Sequence, residues 1–144
     1  MVFFTANCFA QKNDTPTNSQ LSKYYNLAIY DFLHDVTSIY QLQLDTLLIG
    51  QHEEFPPITL KSKINNTQIL LLPLEKGETI LKKNTKAFYV NIISWGTKNE
   101  YRFKFFVFSK GFIRAFDWHA TYQFDSNNQG KKLRSQFENF GFVK

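Results

Sequence analysis

The stretch of sequence that decides the fold is residues 87–124, AFYVNIISWGTKNEYRFKFFVFSKGFIRAFDWHATYQF. It is rich in aromatic and β-branched residues, which favour strands. Two turn-like segments divide it, GTKN at residues 96–99 and KG at residues 110–111. The pattern predicts three strands joined as antiparallel hairpins, at residues 87–95, 101–109 and 112–124.

Alternation along these strands assigns each side chain to one of two faces. In the antiparallel register that the turns predict, one face collects twelve apolar residues, with Ser94 and Arg114 at its ends. The twelve are Phe88, Val90, Ile92, Tyr101, Phe103, Phe105, Val107, Phe116, Trp118, Ala120, Tyr122 and Phe124. This face is therefore predicted to form the hydrophobic core.

A long helix is predicted near the N-terminus. Apolar residues recur every three or four positions from Leu21 to Ile39, which is the spacing of one helix face. Polar Asn18 or Ser19 can cap its first turn. Additional apolar residues widen the stripe, so we expect this helix to be largely enclosed.

Four shorter elements complete the predicted order. They are a buried strand at residues 46–51, a hairpin at residues 58–72 around an Asn65–Asn66 turn, a helix at residues 75–83 ending near a left-handed cap at Asn84, and a fourth meander strand at residues 133–142. The sequence thus predicts an α+β fold, shaped as a roll or cone. Its long N-terminal helix packs on a curved antiparallel sheet with a four-stranded C-terminal meander, alongside a small hairpin and a short second helix.

This element order is similar to that of the cone-shaped nuclear-transport-factor-2-like superfamily, and less closely to that of cystatins. The resemblance is one of architecture, since the chain contains no sequence motif of either family. It implies a helix wrapped by a curved sheet, and it assigns no functional residue.

The N-terminus has features of an export signal. Residues 1–10 (MVFFTANCFA) look like a partial signal peptide, with small residues Cys8 and Ala10 at the −3 and −1 positions of a cleavage site. Residues 11–18 predict a flexible tail, and residues 19–144 a single α+β domain. We therefore expect an exported protein, periplasmic, secreted or surface-associated. An ordinary N-terminus and a lipoprotein acylated at Cys8 remain the alternatives.

Charge is distributed unevenly between the two parts of the chain. Residues 1–60 carry a net charge of −4 and residues 61–144 carry +9, within a total of +5. The basic residues are scattered, without the clustered motif of a nucleic-acid-binding domain. No apolar run approaches the roughly 18 residues of a membrane span. We therefore predict neither a nucleic-acid partner nor a membrane span.

The sequence contains no recognisable catalytic motif. It lacks GxSxG, a phosphate-binding loop and a dinucleotide-binding glycine pattern. His34, His52 and His119 are too dispersed for a metal motif, and the only cysteine, Cys8, lies in the predicted leader. We predict no catalytic residue, no metal ligand and no cofactor.

The outer face of the predicted sheet supplies the candidate site. Its register places His119 between Arg102 and Glu138, an arrangement that suits anion binding, general base chemistry or surface ion pairing. The candidate binding residues are Arg102, Lys104, Asp117, His119 and Glu138, together with an apolar patch formed by Tyr89, Phe106 and Phe108. Either the hairpin at residues 58–72 covers this patch, or the patch contacts a protein partner or a second copy of the chain.

Three functional interpretations follow from these observations. The leading one is an exported, non-catalytic binding or protein-interaction module. The second is a small enzyme or ligand carrier with a pocket between the long helix and the concave sheet, using inward-facing Tyr24, Tyr25, Tyr101, Tyr122, Arg114 or His34. The third is an inhibitor or immunity-type protein that contacts its partner through the loop at residues 53–57.

Overall fold

The computed structural model describes residues 14–84, 86–111 and 113–139, so the predicted leader with Cys8 lies outside the described residues. The chain forms two helices and seven strands in this part. In chain order they are α1 (Asn18–Tyr40), β1 (Thr46–Gly50), β2 (Lys63–Ile64), β3 (Thr67–Leu72), α2 (Leu74–Lys83), β4 (Ala87–Gly96), β5 (Glu100–Ser109), β6 (Ile113–Phe124) and β7 (Gly130–Asn139).

The strands form one curved, half-barrel sheet with the order β2-β3-β1-β4-β5-β6-β7. The predicted α+β class is confirmed. The sheet is larger than predicted, and it is mixed, because β1 runs parallel to both of its neighbours, β3 and β4. All five residues of β1 are buried, which is typical of a strand covered on both faces.

α1 lies on the concave face of the sheet and begins earlier than predicted. Its cap is Thr17, whose hydroxyl accepts from Gln20 N while the Gln20 side chain accepts from Thr17 N, a reciprocal capping box. The last residue of the predicted stripe, Ile39, is exposed. The second helix also differs at its end, since Asn84 is extended and not left-handed. No helix among the described residues is long and apolar enough to span a membrane.

The predicted core is confirmed, since all twelve inward-facing residues are buried, none of them above 7% exposed. Aromatic rings fill the space between α1 and the sheet. Phe32 of α1 contacts Phe105 and Trp118, at ring-centroid distances of 5.1 and 5.6 Å. Tyr24 stacks on Phe124 at 3.6 Å. The interior of the half-barrel is thus packed with side chains.

The face assignments hold between β4 and β5, but the residue pairs are shifted. Ile93 pairs with Lys104 and not with the predicted Arg102. The reason is that Gly96, at φ 135°, remains in the ladder opposite Tyr101, so the loop begins one residue later than predicted. A shift of two residues changes the partners and leaves every side chain on its predicted face.

The same kind of shift separates β6 from its predicted partners in both β5 and β7. Arg102 pairs with Thr121 and not with the predicted His119. Glu138 lies opposite Asp117 and not opposite His119. The strand β7 starts at Gly130, because the carboxylate of Asp125 accepts two backbone N–H groups and holds a short loop there. Residues 140–142 of the predicted strand lie outside the described residues.

A β-bulge in β6 changes the predicted faces of Arg114 and Ala115. Val107 pairs with Phe116 while Phe108 pairs with Arg114, so Ala115 is the additional residue. Ala115 is buried with the core, and Arg114 lies on the outer face instead of the predicted inner face. The bulge therefore removes the one predicted cation from the interior.

The second helix covers part of the apolar patch on the outer face, and Leu70 and Leu72 of the predicted hairpin also pack against it. Leu81 of α2 packs with Leu48 and Tyr89 in a second hydrophobic cluster, and Phe108 packs against its edge. Tyr89 is only 2% exposed. The outer face is thus divided into a half covered by α2 and a half over β5, β6 and β7.

Candidate functional site

The uncovered half of the outer face contains a cavity of about 460 Å³. One row of paired residues crosses four strands beneath it, in the order Trp95, Arg102, Thr121 and Arg134. We call this cavity the outer groove, lined by Trp95, Arg102, His119, Thr121, Arg134 and Gln136. It offers an aromatic ring, two guanidinium groups and a hydroxyl in one place.

The outer groove is accessible and positively charged. Trp95 is 45% exposed, which is high for the largest apolar side chain. Arg102 has its nearest carboxylate at Glu100, 3.8 Å away, and both side chains are about half exposed. Arg134 forms no ion pair with any of the described residues. Such arginines keep most of their charge available to a ligand.

Next to the outer groove, Asp117 is the centre of a closed charge cluster. Its carboxylate is 1% exposed and accepts from Arg114 Nε at 3.2 Å and Arg114 Nη2 at 2.7 Å. Lys104 Nζ lies 3.9 Å from the same carboxylate. Both cations also lie about 5 Å from the ring of Phe106. These side chains pair with one another, so the cluster stabilises the sheet surface.

Three possible metal ligands occur together at this cluster. One ligand atom from each of Asp117, His119 and Glu138 lies within 4.8 Å of the others. His119 Nε2 is 3.5 Å from a Glu138 oxygen, but it makes no hydrogen bond with any described residue. Both Asp117 oxygens, however, are already bonded to the Arg114 guanidinium. A metal cation there would lie beside the positive charges of Arg114 and Lys104, so the arrangement suits ion pairing better than metal binding.

The opposite face of the sheet offers a second, smaller cavity of about 220 Å³, at one end of the helix–sheet interface. Three hydroxyls meet there: Tyr25 and Ser94 are 2.6 Å apart, and Ser94 and Tyr101 are 3.0 Å apart. Burial raises the pKa of Tyr25 to about 12, so its phenol stays neutral at physiological pH. His52 lines the mouth of this cavity. The hydroxyls satisfy one another, and the volume is below that of ordinary ligand pockets.

Two carboxylates of α1 accept hydrogen bonds from the polar groups of two buried aromatic side chains. Trp118 Nε1 donates to Asp35 at 2.9 Å, and the Tyr122 hydroxyl donates to Asp31 at 2.7 Å. Burial, and then the hydrogen bond to Asp31, raise the pKa of Tyr122. His34, by contrast, is exposed to solvent. These groups therefore hold the helix on the sheet, and the described residues that line this interior leave no buried polar side-chain atom without a hydrogen-bond partner.

The structure distributes the candidate binding residues over three environments. Arg102 and His119 line the outer groove, and Glu138 lies close to His119. The closed charge cluster contains Lys104, Asp117 and Phe106. The apolar cluster under α2 contains Tyr89 and, at its edge, Phe108.

Four residues of the outer groove were not predicted from the sequence as site residues: Trp95, Thr121, Arg134 and Gln136. Trp95 shares its face with Ile93, an alternation visible in the sequence. The predicted register, however, placed neither Trp95 nor Arg134 in the row of Arg102, because the β4–β5, β5–β6 and β6–β7 pairings were each placed two residues away from their observed positions. Away from the bulge, alternation along each strand correctly predicted which side chains lie on the outer face. It did not predict which of them lie side by side on neighbouring strands.

Comparison with known proteins finds no family model, no curated protein and no solved structure that matches this chain. A function for this chain can therefore be proposed only from the geometry of its candidate site.

Proposed function

We propose that this protein is a non-catalytic binding module that contacts a protein partner through the outer groove. The observation that carries the proposal is a contrast between the two faces of the sheet. The inner face is packed with aromatic rings, whereas the outer face has the larger cavity, with an exposed tryptophan and two arginines. Tryptophan and arginine are the residues most enriched at the energetic centres of protein interfaces.

The alternative of an enzyme or ligand carrier has weaker support. Its natural location is the 220 Å³ cavity beside Tyr25, where the hydroxyls are hydrogen-bonded to one another. The inhibitor alternative uses the loop at residues 53–57. Phe55 of that loop packs on Tyr25 at a ring-centroid distance of 5.6 Å, which anchors the loop to the core. Either alternative would leave the outer groove without a role.

Replacing Trp95 by alanine is expected to abolish capture of the native partner. The wild type, Trp95→Ala and Ile39→Ala would be immobilised and exposed to extract of the native host, and retained proteins would be quantified by mass spectrometry. Ile39 is a matched control, since it is 63% exposed and lies on the helix. We expect one protein to be retained by the wild type and by Ile39→Ala, and at least about tenfold less by Trp95→Ala. If every retained protein binds all three forms equally, the proposal is wrong.

We also propose that the protein acts outside the cytoplasm, after removal of residues 1–10. The support is the short apolar segment before Cys8 and Ala10, followed by the polar segment that leads into α1. N-terminal sequencing of the protein purified from its native host is expected to start at Gln11. An intact Met1 on a cytosolic species would contradict the proposal.

A further inference from the structure

We infer that the outer groove recognises carboxylate side chains of an acidic segment in its partner, held between Arg102 and Arg134. This inference rests on the proposed function and adds the chemistry of the ligand. It requires that the two arginines face one cavity, that their charge is available, and that the site suits carboxylates better than other anions.

The register places the two arginines on either side of one hydroxyl residue. Arg102 pairs with Thr121 across β5 and β6, and Thr121 pairs with Arg134 across β6 and β7. Adjacent strands are about 4.8 Å apart, so the two Cα atoms are roughly 10 Å apart with Thr121 between them. All three residues line the same cavity. A carboxylate above Thr121 can therefore be reached from both sides.

Neither arginine is neutralised by an ion pair with a buried carboxylate among the described residues. Arg114, on the same face, donates two hydrogen bonds to buried Asp117. Arg102 has only the half-exposed Glu100 at 3.8 Å, and Arg134 has no carboxylate partner among the described residues. Residues 61–144, which contain the strands of the outer groove, carry a net charge of +9, and such a charge attracts an acidic partner from a distance.

Two features favour carboxylates over phosphate. Phosphate sites are commonly built from backbone N–H groups at a helix N-terminus or a glycine-rich turn. The outer groove lies instead on strand interiors, whose backbone groups are used in the ladder. Trp95, with exposed Ile93 on the same face of β4, provides apolar surface for the methylene groups of glutamate side chains.

The inference can be tested with a blocked penta-glutamate peptide, a penta-glutamine peptide as its uncharged control, and inorganic phosphate. Binding would be followed by NMR on the side-chain N–H signals of the full chain. We expect saturable shifts at the indole of Trp95 and at the guanidinium groups of Arg102 and Arg134. The indole of Trp118, which is buried in the core, should not shift.

Matched variants distinguish binding in the outer groove from non-specific attraction to the positive charge of the protein. Arg102→Gln and Arg134→Gln should each raise the Kd for penta-glutamate at least fivefold. Lys82→Gln and Lys83→Gln remove the same charge from exposed positions of α2, and should change the Kd less than twofold.

Three results would overturn the inference: no saturable shift with penta-glutamate, equal binding of penta-glutamine or inorganic phosphate, or equal weakening by the α2 variants. The proposed function is tested separately, by the Trp95→Ala experiment. If penta-glutamate does not bind but Trp95→Ala still loses the native partner, the outer groove is an interface that recognises something other than carboxylates. If both experiments fail, the outer groove is not a binding site of either kind.

Discussion

Replacing Trp118 by alanine is expected to lower the free energy of unfolding by about 3–5 kcal/mol. The side chain is fully buried, and its ring lies 4.9 Å from that of Phe105 and 5.6 Å from that of Phe32. Truncation removes these contacts and leaves Asp35 without the indole N–H that donates to it. Urea denaturation followed by circular dichroism would measure the loss.

The neighbouring residue provides the control, because adjacent positions of a strand face opposite sides of the sheet. His119 lies on the outer face, half-buried, and its Nε2 makes no hydrogen bond with the described residues. His119→Ala is therefore expected to cost less than about 1 kcal/mol. Equal costs for the two substitutions would mean that the assignment of faces in β6 is wrong.

This contrast between neighbours also shows why the faces could be predicted from the sequence and the residue pairs could not. A strand has a period of two, so an error of two residues preserves every face. The pairs depend on where each loop starts, and that is decided by Gly96 at positive φ and by the Asp125 carboxylate. The bulge at Ala115 follows no glycine or proline, so nothing in the local sequence marks it.

The position of β1 in the sheet depends on connections that a pattern of residues does not reveal. The apolar segment at residues 46–51 predicts a short buried strand, and the observed strand at residues 46–50 is buried throughout. Its parallel pairing with β3 and β4 requires crossover connections, one of which contains α2. Because α2 lies over Tyr89, the candidate site is confined to the other half of the outer face.

Replacing Gly77 by valine is expected to destabilise the protein by about 3 kcal/mol, because α2 could no longer pack on the sheet. A Cβ atom at Gly77 would lie 2.5 Å from a ring carbon of Tyr89, and valine adds two further carbons beyond it. Lys76→Val is the control, since it puts the same side chain at an exposed position of the same helix. It should cost about 0.5 kcal/mol from helix propensity. Urea denaturation of both variants would measure the difference.

A double-mutant cycle tests the contact itself. In an exposed helix, Gly→Ala stabilises by about 1 kcal/mol, because alanine is the better helix former. At Gly77 the overlap with Tyr89 should reverse that sign, so that Gly77→Ala destabilises the wild type. In a Tyr89→Ala background the ring is gone, and the same substitution should become stabilising. If Gly77→Ala stabilises both backgrounds, α2 does not cover Tyr89. The outer face would then carry the larger apolar patch, and the outer groove would be only one edge of a wider surface.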